Sequence, residues 1–358
     1  MPMCRKRSGT RLLHGPFSCA ATDWRPVRYQ RFLVLAVLFA AFFILGATPR
    51  HDVLAIPLPK HAAPLRFIVA GDAGTGDAHL HDGIVAMTKS MHIDAILLVG
   101  NNIYPCGVTS VDDPQWKKVT VNFADAGVPI YPVLGNHDYG DPTPVNGKTV
   151  FCGNPSPASQ VRATGRLAHW IFPARNYALR SPFVDFVMID TQPIASEFAE
   201  PFMGSETLDG ELHWVTSALD QSGKGWRIAV GHHTIYSSGV HGISNHRDQR
   251  HLRTDLLPLL MRGHVDLYIC GHDHDAELIG DLRSRNGAPV FLIAGDGAHS
   301  ELMEERHRAD EPPTIFPTSF PPKRLVGFNL IEITPHQLSI TFYDGLGKPR
   351  SDTYTMRR

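Results

Sequence analysis

Residues 265–274 read VDLYICGHDH, a short apolar segment that ends in glycine and then in side chains able to bind metal ions. Segments of this length and composition are typical of buried β-strands. The glycine permits a sharp turn, which frees the next side chain to leave the line of the strand. Histidine is the commonest metal ligand in proteins, so GHDH predicts a metal site at the end of a strand.

Four other apolar segments end in the same way. Because the carboxyl ends of strands in an α/β sheet meet at one crevice, five such ends predict a single shared site. The four segments are LRFIVA (65–70) before GDAG (71–74), AILLV (95–99) before GNNIY (100–104), PIYPVL (129–134) before GNHD (135–138), and WRIAV (226–230) before GHH (231–233).

Segments with helical periodicity separate several of these strands, and the alternation predicts an α/β architecture. Three more apolar runs follow residue 287, and we expect them to be antiparallel strands of a second sheet packed on the first. The predicted helices are His79–Met91, Trp116–Ala126, Gly210–Leu219 and Thr254–Met261, and the late strands are Pro289–Ala294, Val326–Ile333 and Leu338–Tyr343.

The composition is that of an ordinary globular protein. Of 358 residues, 43% are hydrophobic and 19% are charged. Basic and acidic residues number 34 and 35, and the formal net charge of −1 gives no reason to expect a nucleic-acid partner. Histidine is frequent, at 20 residues, so only the position of each histidine in the sequence can indicate its role.

The first 50 residues have the features of a targeting segment. Residues 5–31 are basic, with Asp23 as their only acid, and an apolar run extends from Phe32 to Ala47. This run is consistent both with a cleaved signal peptide and with an uncleaved membrane anchor. We therefore expect the rest of the chain to be exported and either secreted or membrane-anchored. Residues 51–64 are predicted to be a tether, and residues 65–358 to form the functional domain.

Two cysteines lie close to the predicted site. Cys106 follows one candidate metal loop, and Cys152 lies downstream of another. In an oxidising compartment these two residues would form a disulfide, and a pair of free thiols is the alternative. Cys270 ends an apolar strand and is predicted to be a small buried side chain.

Taken together, the five glycine-ended blocks resemble those of the calcineurin-like metallophosphoesterases. The tyrosine of GNNIY and the spacing of the last three blocks resemble purple acid phosphatases, in particular the small tartrate-resistant form. The resemblance covers roughly residues 65–343. It implies a four-layer α/β/β/α sandwich with a metal site at the sheet edge, and an enzyme that hydrolyses phosphate esters.

The resemblance also implies a centre of two metal ions. Such a centre makes bound water lose its proton easily, so a metal-bound hydroxide would attack the phosphoryl group. A phenolate ligand favours a trivalent ion, and we expect Fe(III) together with divalent iron, zinc or manganese. The first metal would bind Asp72, Tyr104 and His274, the second would bind Asn136, His232 and His272, and Asn101 would lie between them.

Two more histidines are implied to be catalytic, as phosphate contacts and proton donors. His137 follows a predicted ligand, and the adjacent Asp138 carboxylate could orient its ring. His241 lies nine positions after His232, a spacing that resembles the family pattern. His233 also adjoins a predicted ligand, but it should point the other way along the strand and so have a structural role.

One position departs from the family pattern, which has aspartate where this chain has Asn101. An aspartate carboxylate bridges the two metals, whereas an amide offers one neutral oxygen and a nitrogen that donates hydrogen bonds. We therefore expect a weaker metal site. Asn102 cannot restore the missing charge, and Asp77 is only a remote candidate to do so.

The sequence thus predicts an exported, metal-dependent phosphomonoesterase that acts on small phosphate esters. One alternative is a phosphodiesterase or nucleotide hydrolase on the same scaffold. Another is a non-catalytic pseudo-phosphatase that still binds metal or phosphate, a reading that Asn101 would favour. A nuclease-like protein is disfavoured by the near-zero net charge.

Overall fold

A computed structural model describes the chain from residue 53 onward, with gaps. The predicted signal or anchor run at Phe32–Ala47 lies outside the described residues. Within the part of the chain that the structure describes, no helix is both long and apolar enough to cross a membrane. The described ranges are 53–58, 64–140, 143–145, 148–150, 152, 155–195, 207–243, 247–282, 287–297, 312–317 and 326–358.

Strands and helices alternate along the first two thirds of the described chain, and strands dominate the last third. The strands are β1 Ala55–Pro57, β2 Leu65–Ala70, β3 Ala95–Val99, β4 Ile130–Val133, β5 Thr143–Val145, β6 Lys148–Val150, β7 Tyr177–Arg180, β8 Val184–Met188, β9 Trp226–Val230, β10 Leu267–Cys270, β11 Ala276–Ile279, β12 Val290–Ala294, β13 Thr314–Pro317, β14 Gly327–Ile333, β15 Gln337–Asp344 and β16 Tyr354–Arg357. The α-helices are Ala78–Ser90, Lys117–Phe123, Pro157–Arg162, Gln192–Ala195, Leu208–Asp220, Val240–Ile243, Arg247–His251 and Leu257–Arg262, with 3-10 turns at Pro114–Trp116, Ala124–Ala126 and Asn136–Tyr139 and a π-helical turn at Leu252–Leu256.

Two large sheets form the centre of the described fold. One has eight strands in the order β1-β7-β8-β9-β10-β12-β11-β13, and the other has six in the order β16-β15-β14-β2-β3-β4. Strands β8, β9, β10 and β12 run parallel to one another in the first sheet, as do β2, β3 and β4 in the second. A small hairpin of β5 and β6 stands apart from both sheets.

The two sheets pack face to face, with helices on their outer sides. Phe67 of the six-stranded sheet contacts Phe186 of the eight-stranded sheet, with ring centroids 4.8 Å apart. A second apolar cluster covers the outer face of the eight-stranded sheet, where Val215 and Leu219 of helix Leu208–Asp220 pack near Ala229. Helix Ala78–Ser90 covers the six-stranded sheet. The layers are therefore helix, sheet, sheet and helix, and the predicted α/β/β/α sandwich is confirmed.

Helix Ala78–Ser90 shows why these layers form. Its buried positions include Leu80, Ile84 and Met87, which recur at the three- and four-residue spacing that places them on one side. The carboxylate of Asp77 accepts hydrogen bonds from the backbone N–H groups of His79 and Leu80, which caps the first turn. Asp77 is thus a helix cap, and its carboxylate serves the first turn of that helix.

The strands that carry the predicted site are divided between the two sheets. β2, β3 and β4 belong to one sheet, while β9 and β10 belong to the other. The expectation of one metal-bearing sheet followed by a separate late sheet is therefore wrong. β12 joins β10 in parallel, and β14 pairs with β2 in antiparallel fashion, so the late strands complete both sheets.

Eight of the described strands were not predicted from the sequence, among them β1, β7 and β8, which lie side by side in the eight-stranded sheet. β7 and β8 form an antiparallel pair in the eight-stranded sheet, and β1 adds to the edge of that sheet beside β7. β1 lies inside the segment predicted to be a tether, and Leu58 next to it is only 3% exposed. Part of that segment is therefore packed against the domain, because its backbone pairs with β7 and the Leu58 side chain is buried.

Candidate metal centre

The candidate ligands occupy turns at the carboxyl ends of β2, β3, β4, β9 and β10. Asp72, Asn101 and His272 have φ angles of 55°, 53° and 73°, in the left-handed region that side-chain-bearing residues rarely adopt. Such conformations cost free energy and are retained where the surroundings hold them, often at functional sites. Between two of these turns, Gly100 allows close packing, since a Cβ there would lie 2.4 Å from Nδ1 of His232.

Asp72, Tyr104 and His274 form the first half of the centre. The Tyr104 hydroxyl donates to Oδ1 of Asp72 at 2.7 Å and lies 3.0 Å from Nε2 of His274. The same carboxylate oxygen lies 3.6 Å from Nε2 of His274. Asp72 is fully buried, and its other oxygen accepts the backbone N–H of His272 at 2.8 Å. The structure therefore brings the three predicted first-metal ligands together around one carboxylate oxygen.

Asn136, His232 and His272 form the second half. Nδ1 of His232 lies 2.8 Å from the carbonyl oxygen of Val99, and Nε2 lies 3.1 Å from Oδ1 of Asn136. A carbonyl oxygen can only accept, so in the neutral ring Nδ1 carries the proton and Nε2 carries the lone pair. Two lone-pair atoms, Nε2 and Oδ1, therefore face each other, an arrangement that is complementary to a cation. The His272 ring is 5.2 Å from the His232 ring, measured between centroids.

Asn101 lies between the two halves, and its amide has a defined orientation. Its Oδ1 accepts the backbone N–H of His137 at 2.9 Å. Its Nδ2 donates to Oδ1 of Asp72 at 2.7 Å and to the hydroxyl of Tyr104 at 3.0 Å. Because a backbone N–H can only donate, it holds the amide oxygen on its own side and turns the amide nitrogen toward the ligands. A nitrogen that donates hydrogen bonds is not a metal ligand, so Asn101 does not supply the bridge.

His137 is held by a different group from the one that the sequence suggested. Its Nδ1 lies 2.8 Å from the carbonyl oxygen of Pro105, and its ring centroid is 4.4 Å from that of Tyr104. Asp138 points elsewhere: its carboxylate accepts the backbone N–H groups of Asn102, Ile103 and Gly135 at 2.9–3.3 Å. The hypothesis that Asp138 orients His137 is therefore wrong, because this carboxylate fastens two ligand-bearing turns to each other instead.

The rings of His241 and His233 both lie close to that of His272. The centroid of the His241 ring is 4.0 Å from that of the His272 ring, and the His233 ring is 4.6 Å from it. His241 is partly exposed and stands beside the second half of the centre. His233 is buried, and its Nδ1 lies 2.8 Å from Oγ1 of Thr191. The structure thus places His241 at the site and gives His233 a polar partner behind it.

Several supporting residues were not found from the sequence. Thr191 Oγ1 accepts the backbone N–H groups of His232 and His233, each at 3.2 Å. It follows the end of β8, and the missed strand explains why it was overlooked. Gln160 donates to Asp138 at 2.8 Å and accepts from Nδ2 of Asn102 at 3.1 Å. Gln160 comes from a helix distant in sequence, and no local pattern marks it.

A disulfide joins Cys106 to Cys152. Cys106 directly follows Pro105, whose carbonyl contacts His137, and a Cβ on Gly140 would lie 2.9 Å from Cβ of Cys152. The disulfide therefore links the loop of the first half to the chain that leaves the turn of the second half. Cys270 is buried and has a free thiol, in agreement with its expected place at the end of a strand.

Burial and neighbouring charges shift the pKa values of the aspartate and the histidines of the centre. Burial raises the pKa of Asp72, but nearby His232, His274 and Tyr104 outweigh this effect and hold it below its usual value. Burial lowers the pKa of His137 to about 4 and also lowers that of His232. Burial and the neighbouring His241 and His232 place the pKa of His272 well below its usual value.

Burial and the adjacent Asp72 carboxylate raise the pKa of the Tyr104 phenol well above its usual value. Tyr104 therefore keeps its proton and donates a hydrogen bond to Asp72, unless a bound cation replaces that proton. Burial raises the pKa of Asp138 to about 6, although its hydrogen bonds to Gly135, Gln160 and Asn102 oppose the effect. Neutral imidazoles and an ionised aspartate are the protonation states in which these side chains bind metals.

The candidate donors fall into two small sets, one in each half of the centre. Within the described ranges, no group of three or more His, Cys, Asp and Glu side chains is placed to hold one ion. Each half has only two residues of those types, completed by Tyr104 in the first half and by Asn136 in the second. The lone-pair contact between Asn136 and His232 nevertheless calls for a cation, and so the donor set fits the expected metals.

Residues 65–276 match the calcineurin-like phosphoesterase family. The chain is 30% identical over 287 residues to purple acid phosphatase 7 of Arabidopsis thaliana, covering 75% of this chain and 80% of that protein. It is 27% identical over 354 residues to tartrate-resistant acid phosphatase type 5 of Sus scrofa, covering 91% and 96%. A solved structure of GAP50, described as the anchor in the inner membrane complex of Plasmodium, aligns with a TM-score of 0.64 at 23% identity, covering 82% of this chain and 89% of that one. The predicted resemblance is confirmed, and the chain belongs to the calcineurin-like phosphoesterase family, with purple acid phosphatases among its relatives.

Proposed function

We propose that this chain is an exported phosphomonoesterase that uses two metal ions, Fe(III) in the first half of the centre and divalent iron, zinc or manganese in the second. Membership of the phosphoesterase family implies phosphate-ester hydrolysis, and relatives named purple acid phosphatases imply a dinuclear centre. Those relatives favour a small phosphate monoester over a diester or a nucleic acid. The near-zero net charge agrees with that choice.

One observation carries the proposal: the lone pairs of His232 Nε2 and Asn136 Oδ1 face each other at 3.1 Å. Their ring and amide are held in this arrangement by the Val99 carbonyl and by the turn that follows β4. Without a cation this contact is unfavourable, since neither atom has a hydrogen to share. It supports a divalent metal between them, next to the anionic first half, which suits the more highly charged Fe(III).

When two metals are bound, such a centre lowers the pKa of water and neutralises charge on the phosphoryl oxygens. The protein then has to orient the ester and give a proton to the leaving oxygen. His137 stands next to Tyr104 of the first half, and His241 stands next to His272 of the second half. From these places one can hold the phosphate while the other protonates the departing oxygen.

Two features support export. The basic segment followed by the apolar run Phe32–Ala47 is typical of a signal or anchor sequence. The Cys106–Cys152 disulfide is of the kind that persists in oxidising compartments. We therefore place the catalytic domain outside the cytoplasm, either attached to the membrane through its N-terminal segment or secreted.

Asn101 sets the expected strength of the centre. Its amide nitrogen takes the place between the halves that a carboxylate would fill, so the second half loses an anionic ligand. An Asn101→Asp variant should bind its second metal more tightly by at least ~10-fold, the low end of the change seen for partners outside the ligand set. Aspartate also tolerates the left-handed backbone of this position.

The test combines metal content with turnover. Metals per chain and p-nitrophenyl phosphate hydrolysis are measured for the parent, for Asn101→Asp, and for Gln221→Glu as a control that adds the same charge at an exposed position after helix Leu208–Asp220. We expect turnover in the parent, higher second-metal affinity only in Asn101→Asp, and no gain in Gln221→Glu. Absence of turnover from both the parent and Asn101→Asp, in folded and metal-loaded protein, would refute the phosphatase function.

A further inference from the structure

His241 lies at the end of a buried segment that follows β9. The segment runs from Thr234 to Gly239, where side chains such as Ser237 and Ser238 are less than a tenth exposed. It then enters the short helix Val240–Ile243, which brings the His241 ring against that of His272. The position of His241 therefore depends on what holds the backbone of residues 237–241.

Glu277 of β11 holds one end of this segment. Its Oε2 accepts the backbone N–H of Ser238 at 2.9 Å, and its Oε1 accepts the Ser238 hydroxyl at 2.5 Å. Thr314 of β13 donates its hydroxyl to the same Oε1 at 3.2 Å. Glu277 has no exposed surface, and so its carboxylate reaches the segment from inside the fold.

Asp273 holds the other end. Its Oδ1 accepts the backbone N–H of His241 itself at 2.9 Å. Between the two attachment points, a Cβ on Gly239 would lie 2.6 Å from Cγ of Asp273 and 2.7 Å from Oδ2 of Asp275. The segment is therefore pressed against the turn that carries the predicted ligands His272 and His274, and only glycine fits at the point of closest approach.

Burying a carboxylate costs desolvation free energy. An apolar side chain at position 277 would pack in the same place without the desolvation penalty of an acid. What Glu277 supplies instead is directional: two acceptors that fix the backbone and hydroxyl of one residue. Hydrogen bonds to a charged group are stronger than those between neutral groups, which suits a role in fixing geometry.

We propose that Glu277, together with Asp273, positions His241 beside the metal centre, so that the turn carrying His272 and His274 and the strand that follows it also set the outer phosphate contact. Glu277 is thus a positioning residue that acts through His241. The inference rests on the proposed function only in that His241 has to contact phosphate. It predicts that the effect of losing Glu277 disappears once His241 is gone.

The test is a double-mutant cycle of the wild type, Glu277→Leu, His241→Ala and the double variant, each metal-loaded. Affinity for inorganic phosphate, measured by titration calorimetry, is the main readout because it needs no turnover. We expect Glu277→Leu to weaken phosphate binding by ~10-fold in the wild-type background and by less than ~3-fold in the His241→Ala background, since coupled residues are not additive. Equal losses in both backgrounds would overturn the inference.

Two more variants guard against a simple loss of folding. In Glu277→Gln the amide oxygen can still accept the Ser238 N–H, and the amide nitrogen can donate to the oxygens of the Ser238 and Thr314 hydroxyls. This variant should therefore bind phosphate nearly as the wild type does. Gly239→Ala leaves Glu277 intact but displaces the segment from Asp273, and should weaken phosphate binding as Glu277→Leu does. Wild-type affinity in Gly239→Ala would also overturn the inference. Hydrolysis of p-nitrophenyl phosphate by the same proteins tests the proposed function separately.

Discussion

The two halves of the metal centre differ in charge. The first half contains an ionised carboxylate and a phenol, Asp72 and Tyr104, and a metal there would meet up to two negative ligands. The second half contains an amide and two imidazoles, all neutral in the metal-binding state. In the first half the ligands also bond to one another, whereas in the second His232 is oriented by the Val99 carbonyl. The halves are therefore suited to ions of different charge.

This difference explains why Asn101 matters more to one half than to the other. An aspartate there would serve both metals, but the first half already has its own carboxylate. The second half has none, and the Asn101 nitrogen is turned toward Asp72 and Tyr104. A metal bound in the second half would therefore receive no negative charge from its predicted ligands. We infer that the first metal is held more firmly than the second.

Replacing the carboxylate of the first half should have the largest effect. In Asp72→Asn the backbone conformation is retained, because asparagine tolerates the φ of 55° found there. The variant should lose both metals and at least ~100-fold in kcat/KM, beyond the range seen for partners outside the ligand set. Elemental analysis and p-nitrophenyl phosphate hydrolysis measure both effects.

Asp77→Asn is the matched control, since it removes a carboxylate five positions along the chain, and asparagine is an equally good helix cap. It should keep its metals and its activity. Retention of full metal content in Asp72→Asn would show that the first half does not depend on its carboxylate, and would remove the contrast between the halves.

The sequence predicted this site better than it predicted the sheets. Each ligand follows an apolar strand and a glycine, a local pattern that does not depend on which sheet the strand joins. The division of β4 and β9 between two sheets is set by long-range pairing, such as that of β14 with β2, which no local pattern reveals. The predicted side chains still lie close together, because the strand ends of both sheets meet at the same edge.

The hydrogen-bond partners of the site could not be predicted in this way. Asp138 adjoins His137 in sequence, yet its side chain turns toward the N–H groups of another loop, and the Pro105 carbonyl takes the expected place beside the imidazole. Glu277 and Gln160 reach the site from distant segments. Chain neighbours are poor guides to such contacts, since adjacent side chains leave a turn in different directions.

Neighbouring histidines offer a finer test of the second half. His232→Ala should lower the metal content by one ion per chain and leave the colour expected from Fe(III) bound to Tyr104. His233→Ala removes a ring that contacts Thr191 but is not a predicted ligand. It should keep both metals and lose about 1–3 kcal/mol of unfolding free energy, the usual cost of leaving a buried polar partner unsatisfied.

Elemental analysis, visible absorption and thermal unfolding distinguish the two variants, which remove the same side chain from adjacent positions. If His233→Ala loses a metal while His232→Ala does not, the assignment of the ligand in the second half is reversed. Loss of colour in His232→Ala would show that the two halves do not bind their metals independently.

The Cys106–Cys152 disulfide should have the smallest effect on the centre, although it links the loops of the two halves. Replacing both cysteines by serine should lower the unfolding free energy by about 4 kcal/mol, given a sequence separation of 46 residues and the chain-entropy treatment of disulfides. The ligands themselves stay tied together by Asp138 and Asn101. Activity in the folded variant should therefore fall by less than ~10-fold, the low end of the effect of groups outside the ligand set.

Denaturant unfolding and kcat/KM at a temperature well below unfolding separate stability from activity in this variant. Cys270→Ala is the control for the loss of a sulfur, since its thiol forms no disulfide. A thiol reductant should destabilise the wild type but not the double serine variant. The double variant could instead lose as much activity as Asp72→Asn. That result would show that the disulfide, rather than the Asp138 carboxylate, fixes the relative position of the two halves.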